Sequence, residues 1–565
     1  MNGGFILAFP DQPSGAAFLA RLPLADPLRA QSDLLRFQQS LLAAPPPPLA
    51  TLQLLEQAQV PLAFVQEERA KTYLNRAVPL AEREEQAFTE VAAAWQRMAD
   101  LYARVAQRLP AGEDTPERLA LILHRCLYYT GQALAEHYRA RREVPPGLWL
   151  NLHGTYGSAE DWGVATLPVA DPREPLECRS HCAAAYVAAL LLDLAGPYHL
   201  GVRELGLAWR WALQWAPLVT LQAVTPEEEP PRFVADLMQD GGLRPLAVDR
   251  ELQAEAGLFL RRLDTSRLAL QLQQAHQALK ARISPVDAGL GEGASASLCV
   301  HLLATLFRPW SQAAAQRRFR RHAASGSLRL AVGWEPIHYF IGGQTFAQPE
   351  NVRVYSRQEF DRLYVFRHQV DPSQPLEVVT SRITYAADEW EVINQSAAGY
   401  RLQRGAAGQR LAHGQLLAVS PGPEQPYLLA QASWLMQEGA RPEGARTERG
   451  HGETPSPVPL AEGAAGAASS GGGLIAGISL MAGHPQAVAA RLVGDGHSAS
   501  EAYSRAFLLP AVAALNEGPS IVLPIGWYAP GREVEVFTDG AWRLKLGKLR
   551  QSGSDFERVE FSVCG

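Results

Sequence analysis

Cysteine is scarce in this chain of 565 residues. The five cysteines are odd in number and scattered: Cys126, Cys178, Cys182, Cys299 and Cys564. Small domains that depend on disulfide bonds have dense, regularly spaced cysteines, so a disulfide framework is not expected here. A reducing cytoplasm is the expected location. The length predicts two or three domains.

Long hydrophobic runs are also missing. The most apolar stretch, Ala183 to Ala195, is interrupted by Asp193 and followed by Gly196 and Pro197. A membrane-spanning helix requires about 20 apolar residues, so this stretch predicts a buried helix instead. The first ten residues have no basic segment and too short an apolar stretch for a signal peptide. We therefore expect no membrane insertion.

Lysine is rare, and positive charge does not dominate. Only four of the 52 basic residues are lysines, at positions 71, 280, 545 and 548, and the net charge is -6. A protein that binds a nucleic-acid polymer needs a broad basic face, which this balance argues against. A local group of arginines in an acidic protein suits a small anionic ligand better. The preference for arginine, alanine and leucine is typical of a bacterial genome of high GC content.

Familiar catalytic and metal-binding motifs are absent from the sequence. There is no Gly-x-Ser-x-Gly, and the glycine-rich segments 405–408 and 471–473 lack the Lys-Ser/Thr of a phosphate loop. Cys178, His181 and Cys182 lack the second ligand pair of a structural zinc site. We therefore predict no catalytic residue, no metal and no cofactor.

Helical periodicity dominates residues 1–300. Between residues 82 and 109, apolar residues recur at alternating spacings of three and four, which places them on one stripe of a helix. Thr115 and Pro116 then have the positions of an N-cap and a first helical residue. Further helices are predicted at 178–195, 201–216 and 248–280. This part is expected to be one or more all-α domains.

The pattern changes after about residue 325. Short strand-like segments are separated by Gly, Pro and Asn turns, which predicts an antiparallel barrel or sandwich. Residues 439–473 have the composition of a linker. The tail, 499–565, is predicted to be a small unit with a helix near 499–515 followed by strands. The expected fold class is α+β, with several domains.

Two short motifs carry the chemical information. Arg317, Arg318, Arg320 and Arg321 form a basic cluster that contains Arg-x-x-x-Arg. An arginine side chain is a planar fork of donors that can bind phosphate oxygens, or O6 and N7 of guanine, through paired hydrogen bonds. Such a cluster is also common at a solvated helix end, where arginine complements the helix dipole.

The second motif is Asn394-x-Ser396-x-x-Gly399, between two strand-like segments. Asn and Ser on a tight turn present donors and acceptors at a fixed height above a sheet. Asn, Ser and Gly are also the usual residues of a hairpin turn for backbone reasons alone.

Together these motifs resemble the PilZ domain, the bacterial receptor module for cyclic di-GMP. In that family an Arg-x-x-x-Arg segment precedes a six-stranded antiparallel barrel, and Asp/Asn-x-Ser-x-x-Gly lies on the barrel surface. The resemblance covers about residues 313–493, with insertions near 335–385 and 439–473. Together with the helical pattern before it and the strand-like pattern after it, the resemblance gives an expected order of an all-α N-terminal region, a PilZ-like antiparallel β-barrel and a small β-containing tail.

The resemblance also implies a ligand and a role for each residue. Arg317 and Arg321 would bind phosphates and guanine edges of cyclic di-GMP, and Arg318 and Arg320 would add contacts. Asn394 would bind a guanine edge and Ser396 a phosphate or ribose, while Gly399 would permit a close backbone approach. Ordering of the arginine segment on the ligand would fix the pose of the two halves of the chain for an unidentified protein partner.

Two other functions stay open at this point. A barrel that has lost nucleotide binding would make the protein an interaction scaffold, with an apolar patch on the helical half. An enzyme would require a pocket of convergent ionisable groups within residues 1–300, which the sequence does not disclose.

Overall fold

The computed structural model describes residues 9, 11–169, 180–225, 231–246, 259–313, 321–349, 385–422, 425–439, 472–493, 502–538 and 540–564. It forms two compact units, one of Met1–Arg76 with Leu80–Arg317 and one of Ala77–Pro79 with Arg318–Gly565. Within the described ranges, no helix combines the length and the apolar character needed to cross a membrane.

The first unit is mainly helical, as predicted. Its helices are α1 (Gln12–Leu19), α2 (Pro27–Ala43), α3 (Pro48–Ala70), α4 (Glu82–Arg108), α5 (Pro116–Arg139), α6 (Leu148–Asp161), α7 (Cys182–Leu194), α8 (Val202–Trp215), α9 (Ser266–Lys280) and α10 (Ala296–Trp310). The predicted stripe of α4 is buried, from Phe88 through Trp95 to Val105. Thr115 caps α5 by accepting a hydrogen bond from the N–H of Arg118. The apolar helix α7 lies in the core of this unit.

The description of this region as all-α needs a correction. A four-stranded antiparallel sheet lies between α8 and α9 in the order β1-β4-β2-β3. Its strands are β1 (Thr220–Ala223), β2 (Phe233–Asp236), β3 (Arg244–Pro245) and β4 (Leu260–Asp264). The helix predicted at 248–280 is therefore wrong over β4 and confirmed over α9. Leu260 and Leu263 are the buried residues of β4, and their spacing of three imitates a helical face.

The second unit begins with a closed antiparallel barrel. Its strands are β5 (His322–Ala323), β6 (Ser327–Val332), β7 (Asp388–Ser396), β8 (Gly399–Arg404), β9 (Leu416–Ser420), β10 (Leu428–Gln437) and β11 (Leu474–Leu480). Strands β6 to β11 pair in the ring β6-β7-β8-β11-β10-β9, and β9 returns to β6. The short β5 adds to β7 outside this ring. The predicted six-stranded barrel is confirmed, and a helix, α11 (Trp334–Gly342), follows β6.

The C-terminal residues form a second closed barrel in place of the expected small tail. Its strands are β12 (Gln486–Val493), β13 (Ser504–Leu509), β14 (Ser520–Pro524), β15 (Glu533–Phe537), β16 (Ala541–Ser552) and β17 (Phe556–Val563), in the ring β12-β13-β14-β17-β16-β15. The helix predicted near 499–515 is wrong over β13. Alanines around this strand favour a helix locally, but β13 pairs on both sides, with β12 and β14. Strand β12, assigned by sequence to the first barrel, belongs to the second.

The two barrels share a hydrophobic core with α11. That core includes Ile337 of α11, Leu416 of the first barrel and Phe507 of the second. The carboxylate of Asp555 accepts a hydrogen bond from the N–H of Leu416 at 2.8 Å. The two barrels are therefore one packed body within this unit.

Candidate ligand-binding face of the first barrel

The second motif forms the hairpin between β7 and β8. Ser396 and Gly399 are a cross-strand pair, and Ala397 and Ala398 form the two-residue turn between them. The hydroxyl of Ser396 accepts a hydrogen bond from the N–H of Ala398 and donates one to the carbonyl of Gly399, both at 3.3 Å. Ser396 therefore stabilises the turn that ends β7.

Glycine is required at position 399 because the backbones of β8 and β11 approach each other closely there. It lies opposite Ser479 of β11, and a Cβ atom at its position would be 1.9 Å from the carbonyl oxygen of Ile478. A neighbouring backbone atom cannot rotate away as a side chain can. The glycine of the motif thus permits β8 to join β11 and close the barrel.

Arg321 lies close to Asn394 in the fold despite the long insertion between them. It is exposed and directly precedes β5, where His322 pairs with Gln395 and Ala323 pairs with Asn394. Residues two apart in an extended chain share a face, so Arg321 belongs to the face of Ala323 and Asn394. Diagonal neighbours on adjacent strands are about 7–8 Å apart, which an arginine side chain can span. The other predicted arginines, Arg317, Arg318 and Arg320, lie outside the described residues.

A row of four residues crosses the outside of the barrel from Asn394. Asn394 pairs with Arg401 on β8, Arg401 with Gly477 on β11, and Gly477 with Trp434 on β10. We call these residues the outer row. Cross-strand partners point to the same face of a sheet. The adjacent partners Leu402, Ala476 and Leu435 are buried inside the barrel, whereas the side chains of Asn394, Arg401 and Trp434 are half-buried.

Two β-bulges give the outer row its orientation. The pairing of β7 with β8 passes from Val392 directly to Asn394, so Ile393 is an extra residue. The pairing of β10 with β11 passes from Ala432 to Trp434, so Ser433 is extra. Each extra residue reverses the alternation of its strand. Without these bulges, Asn394 and Trp434 would fall on opposite faces from Arg401 and Gly477.

The outer row contains a flat aromatic and cationic surface. The guanidinium of Arg401 lies 5.5 Å from the ring centre of Trp434. A Cβ on Gly477 would be 1.8 Å from Nε1 of Trp434, so the indole lies across the bare backbone of this glycine. Sequence reasoning missed Arg401 and Trp434. The alternation of β8 and the glycine in β11 are the features that could have suggested them.

Another arginine of β8 has a structural role. Arg404 is buried, forms an ion pair with Asp388, and lies 4.7 Å from the ring centre of Trp390. Burial lowers the pKa of its guanidinium, and the negative charge of Asp388 opposes that shift. Arg404 therefore stabilises the inside of the barrel, while Arg401 remains on the outer face.

Three protein-family models match successive parts of the chain. A model described as the cyclic-di-GMP receptor FimW, N-terminal domain, matches residues 14–227, and one described as the middle PilZ domain of that receptor matches residues 233–371. Residues 233–371 of the chain are therefore similar to a PilZ domain. A third model, the FimW C-terminal beta-barrel domain, matches residues 488–564, which correspond to the second barrel.

A curated relative aligns with most of the chain. The cyclic-di-GMP receptor FimW of Pseudomonas aeruginosa is 25% identical over 552 residues, which cover 91% of this chain and 84% of the relative. The match to the middle PilZ domain begins at β2 in the first unit, includes β5 and β6 of the first barrel, and ends before β7. The assignment of Asn394, Ser396 and Gly399 therefore depends on the motif and on the geometry of the barrel.

Proposed function

We propose that this protein is a receptor that binds cyclic di-GMP on the outer face of its first barrel. The observation that supports this most directly is the pairing of β5 with β7, which brings Arg321 beside Asn394. The relative from Pseudomonas aeruginosa is named as a cyclic-di-GMP receptor. We further propose a cytoplasmic location, where the cysteines Cys126, Cys182, Cys299 and Cys564, free in the structure, would stay reduced.

Each residue of the face matches one part of the dinucleotide. Arg321 would bind a phosphate or the O6 and N7 edge of a guanine, and Arg317, Arg318 and Arg320 would add contacts from the same segment. The amide of Asn394 would bind a guanine edge. Trp434 and Arg401 would stack against a base, because both present flat faces. Ser396 and Gly399 would hold the hairpin that positions Asn394, and Ser396 would also contact a phosphate or ribose.

Calorimetric titration of the intact chain with cyclic di-GMP tests this proposal. We expect saturable binding with a Kd of about 1 μM or tighter, equivalent to about 8 kcal/mol of binding free energy. A folded protein that gives no heat over a range of temperatures would contradict it. That result would favour a scaffold whose barrel does not bind nucleotide.

Asn394→Ala should weaken the binding of cyclic di-GMP about five- to tenfold. The substitution removes one neutral hydrogen-bonding group, which contributes about 1 kcal/mol, and leaves the strand pairing of β7 unchanged. The same titration measures the effect. Gln395→Ala, on the next residue and the opposite face, is the matched control and should bind as the intact chain does. An equal loss of affinity in both variants would show that a disturbed strand β7, and not the missing amide of Asn394, weakens binding.

Trp434→Leu should weaken binding about tenfold. Stacking of a base on an aromatic side chain contributes about 1–3 kcal/mol, and leucine keeps an apolar group over Gly477 without a ring face. Trp434→Phe retains an aromatic face and should lose less affinity. If Trp434→Leu and Trp434→Phe bind cyclic di-GMP with the same affinity, the indole does not stack against a base.

Ligand binding should also change the arrangement of the two units. In the sequence, the arginine segment joins the helical half to the first barrel, so ordering it on the ligand would fix the pose of the two halves. We propose that this change is what a protein partner recognises. Small-angle X-ray scattering at saturating cyclic di-GMP should give a different radius of gyration from the free chain, and Arg321→Ala should abolish the difference. Identical scattering in both states would rule out this relay and leave the binding proposal standing.

A further inference from the structure

The first unit contains a cavity whose walls combine aromatic rings and carboxylates. Its volume is about 270 Å³. Its aromatic walls are Tyr138, Trp149 and Tyr198, and its carboxylates belong to Glu143, Asp193 and Asp240. Among the described residues that line it there is no lysine, arginine or histidine. A pocket open to solvent with this lining is complementary to a positive charge.

Asp193 is the central group of the cavity. It is a half-buried carboxylate near the end of the apolar helix α7. It accepts a hydrogen bond from the hydroxyl of Tyr138 at 2.7 Å, and no ion pair to it occurs within the described part of the chain. Burial raises the pKa of this carboxyl group. A carboxylate held in such a place without a counter-ion is stabilised by any cation that enters.

The aromatic rings provide the second attraction. Tyr138 and Tyr198 are perpendicular, at 88°, with ring centres 5.4 Å apart. A Cβ on Gly242 would be 3.2 Å from the Trp149 ring and 2.2 Å from Oδ2 of Asp193, so the ring and the carboxylate both lie close to this glycine. The faces of Trp and Tyr attract cations, and sites for quaternary ammonium ions are built from such rings. Inorganic cations lose more hydration free energy than alkylated ammonium ions on contact with ring faces, which favours an organic ion.

The cavity is held in shape by fixed contacts. His153 bonds through Nε2 to the carbonyl of Gly241 at 3.0 Å and through Nδ1 to the hydroxyl of Tyr186 at 2.7 Å. Burial lowers the pKa of His153, so the neutral ring donates to the carbonyl and accepts from the tyrosine. Asp240 accepts a hydrogen bond from the N–H of Gly147 at 2.6 Å. These contacts fix the loop 237–242 against α6, and a cavity that is already formed binds a ligand at low entropic cost.

We infer that this cavity binds a small organic cation, an alkylammonium or quaternary ammonium ion, with its charge beside Asp193 and its alkyl groups against Trp149, Tyr138 and Tyr198. The inference does not depend on the binding of cyclic di-GMP. It gives the helical unit a ligand of opposite charge to the dinucleotide.

Titration of the full chain with choline, and with its neutral isostere 3,3-dimethylbutan-1-ol, tests this inference. The two molecules have nearly the same shape and differ in one positive charge. We expect choline to bind at least tenfold more tightly than the isostere. Equal affinity would show a merely apolar cavity, and no binding of choline at millimolar concentration would overturn the inference.

Two variants locate the site. Asp193→Asn should reduce choline affinity at least tenfold, and it should fold because an amide replaces a carboxyl group whose pKa is already raised. Asp161→Asn, an exposed residue of α6 with the same change of charge, should leave choline binding unaltered. If Asp193→Asn does not fold, Trp149→Phe provides the test, with an expected three- to tenfold loss since the smaller ring attracts a cation less. Unchanged choline affinity in the folded variant would overturn the assignment.

Discussion

Arg321→Ala should reduce the affinity of the intact chain for cyclic di-GMP about 100-fold. An arginine that binds a phosphate or a guanine edge through paired, charge-assisted hydrogen bonds contributes about 2–3 kcal/mol, and each 1.4 kcal/mol corresponds to a factor of about ten. Arg321 is exposed before β5, so its removal costs the barrel no packing. The loss should exceed that of Asn394→Ala, which removes a neutral group. Calorimetric titration measures both.

A matched control separates this effect from a general change in charge. Arg543 on β16 is exposed, lies in the second barrel and has no ion pair within the described residues. Arg543→Ala should bind cyclic di-GMP as the intact chain does. An unchanged Kd in Arg321→Ala, or a larger loss in Asn394→Ala, would show that the arginine does not contact the ligand.

Gly399→Ala should destabilise the first barrel by about 3 kcal/mol or more, a value at the upper end for single substitutions. The added methyl group would be 1.9 Å from the carbonyl oxygen of Ile478. Strand β11 cannot withdraw, because it pairs with β8 on one side and β10 on the other. The barrel must therefore open between β8 and β11. Hydrogen–deuterium exchange should show faster exchange of the amides of these two strands.

Gly405→Ala is the control for this prediction. Gly405 directly follows β8, is exposed, and a Cβ at its position would have no heavy atom within 4 Å. Exchange in β8 and β11 should remain as in the intact chain. If Gly399→Ala also retains full protection, the close approach of the two backbones is not what requires the glycine.

The sequence predicted the helical unit, an antiparallel barrel or sandwich and the hairpin because each follows from local patterns, while the six strands of the barrel were implied by the resemblance to the PilZ family. The stripe of α4 and the alternation of the strands are properties of one segment at a time. The motif Asn394-x-Ser396-x-x-Gly399 likewise describes a single turn. These features can be predicted without knowing which strand pairs with which.

The parts that escaped prediction depend on strand pairing. Whether Ile393 and Ser433 are bulges is decided by the neighbouring strands, and these bulges turn Asn394 and Trp434 outward. Strand β5 has two residues, too few for any periodicity. The second barrel was missed in part because the alanine-rich sequence around β13 favours a helix. Pairing of β13 with β12 and β14 overrides that local preference. Arg401 was overlooked for the same reason, since only pairing shows that it lies beside Asn394.

The crystal structure of the chain bound to cyclic di-GMP is the most direct test of the central claim, that one ligand joins the arginine segment to the outer row. We predict that the guanidinium of Arg321 and the amide of Asn394 lie within hydrogen-bonding distance of the same dinucleotide, with a base against Trp434. A dinucleotide bound elsewhere on the chain, in contact with neither Arg321 nor Asn394, would contradict the account.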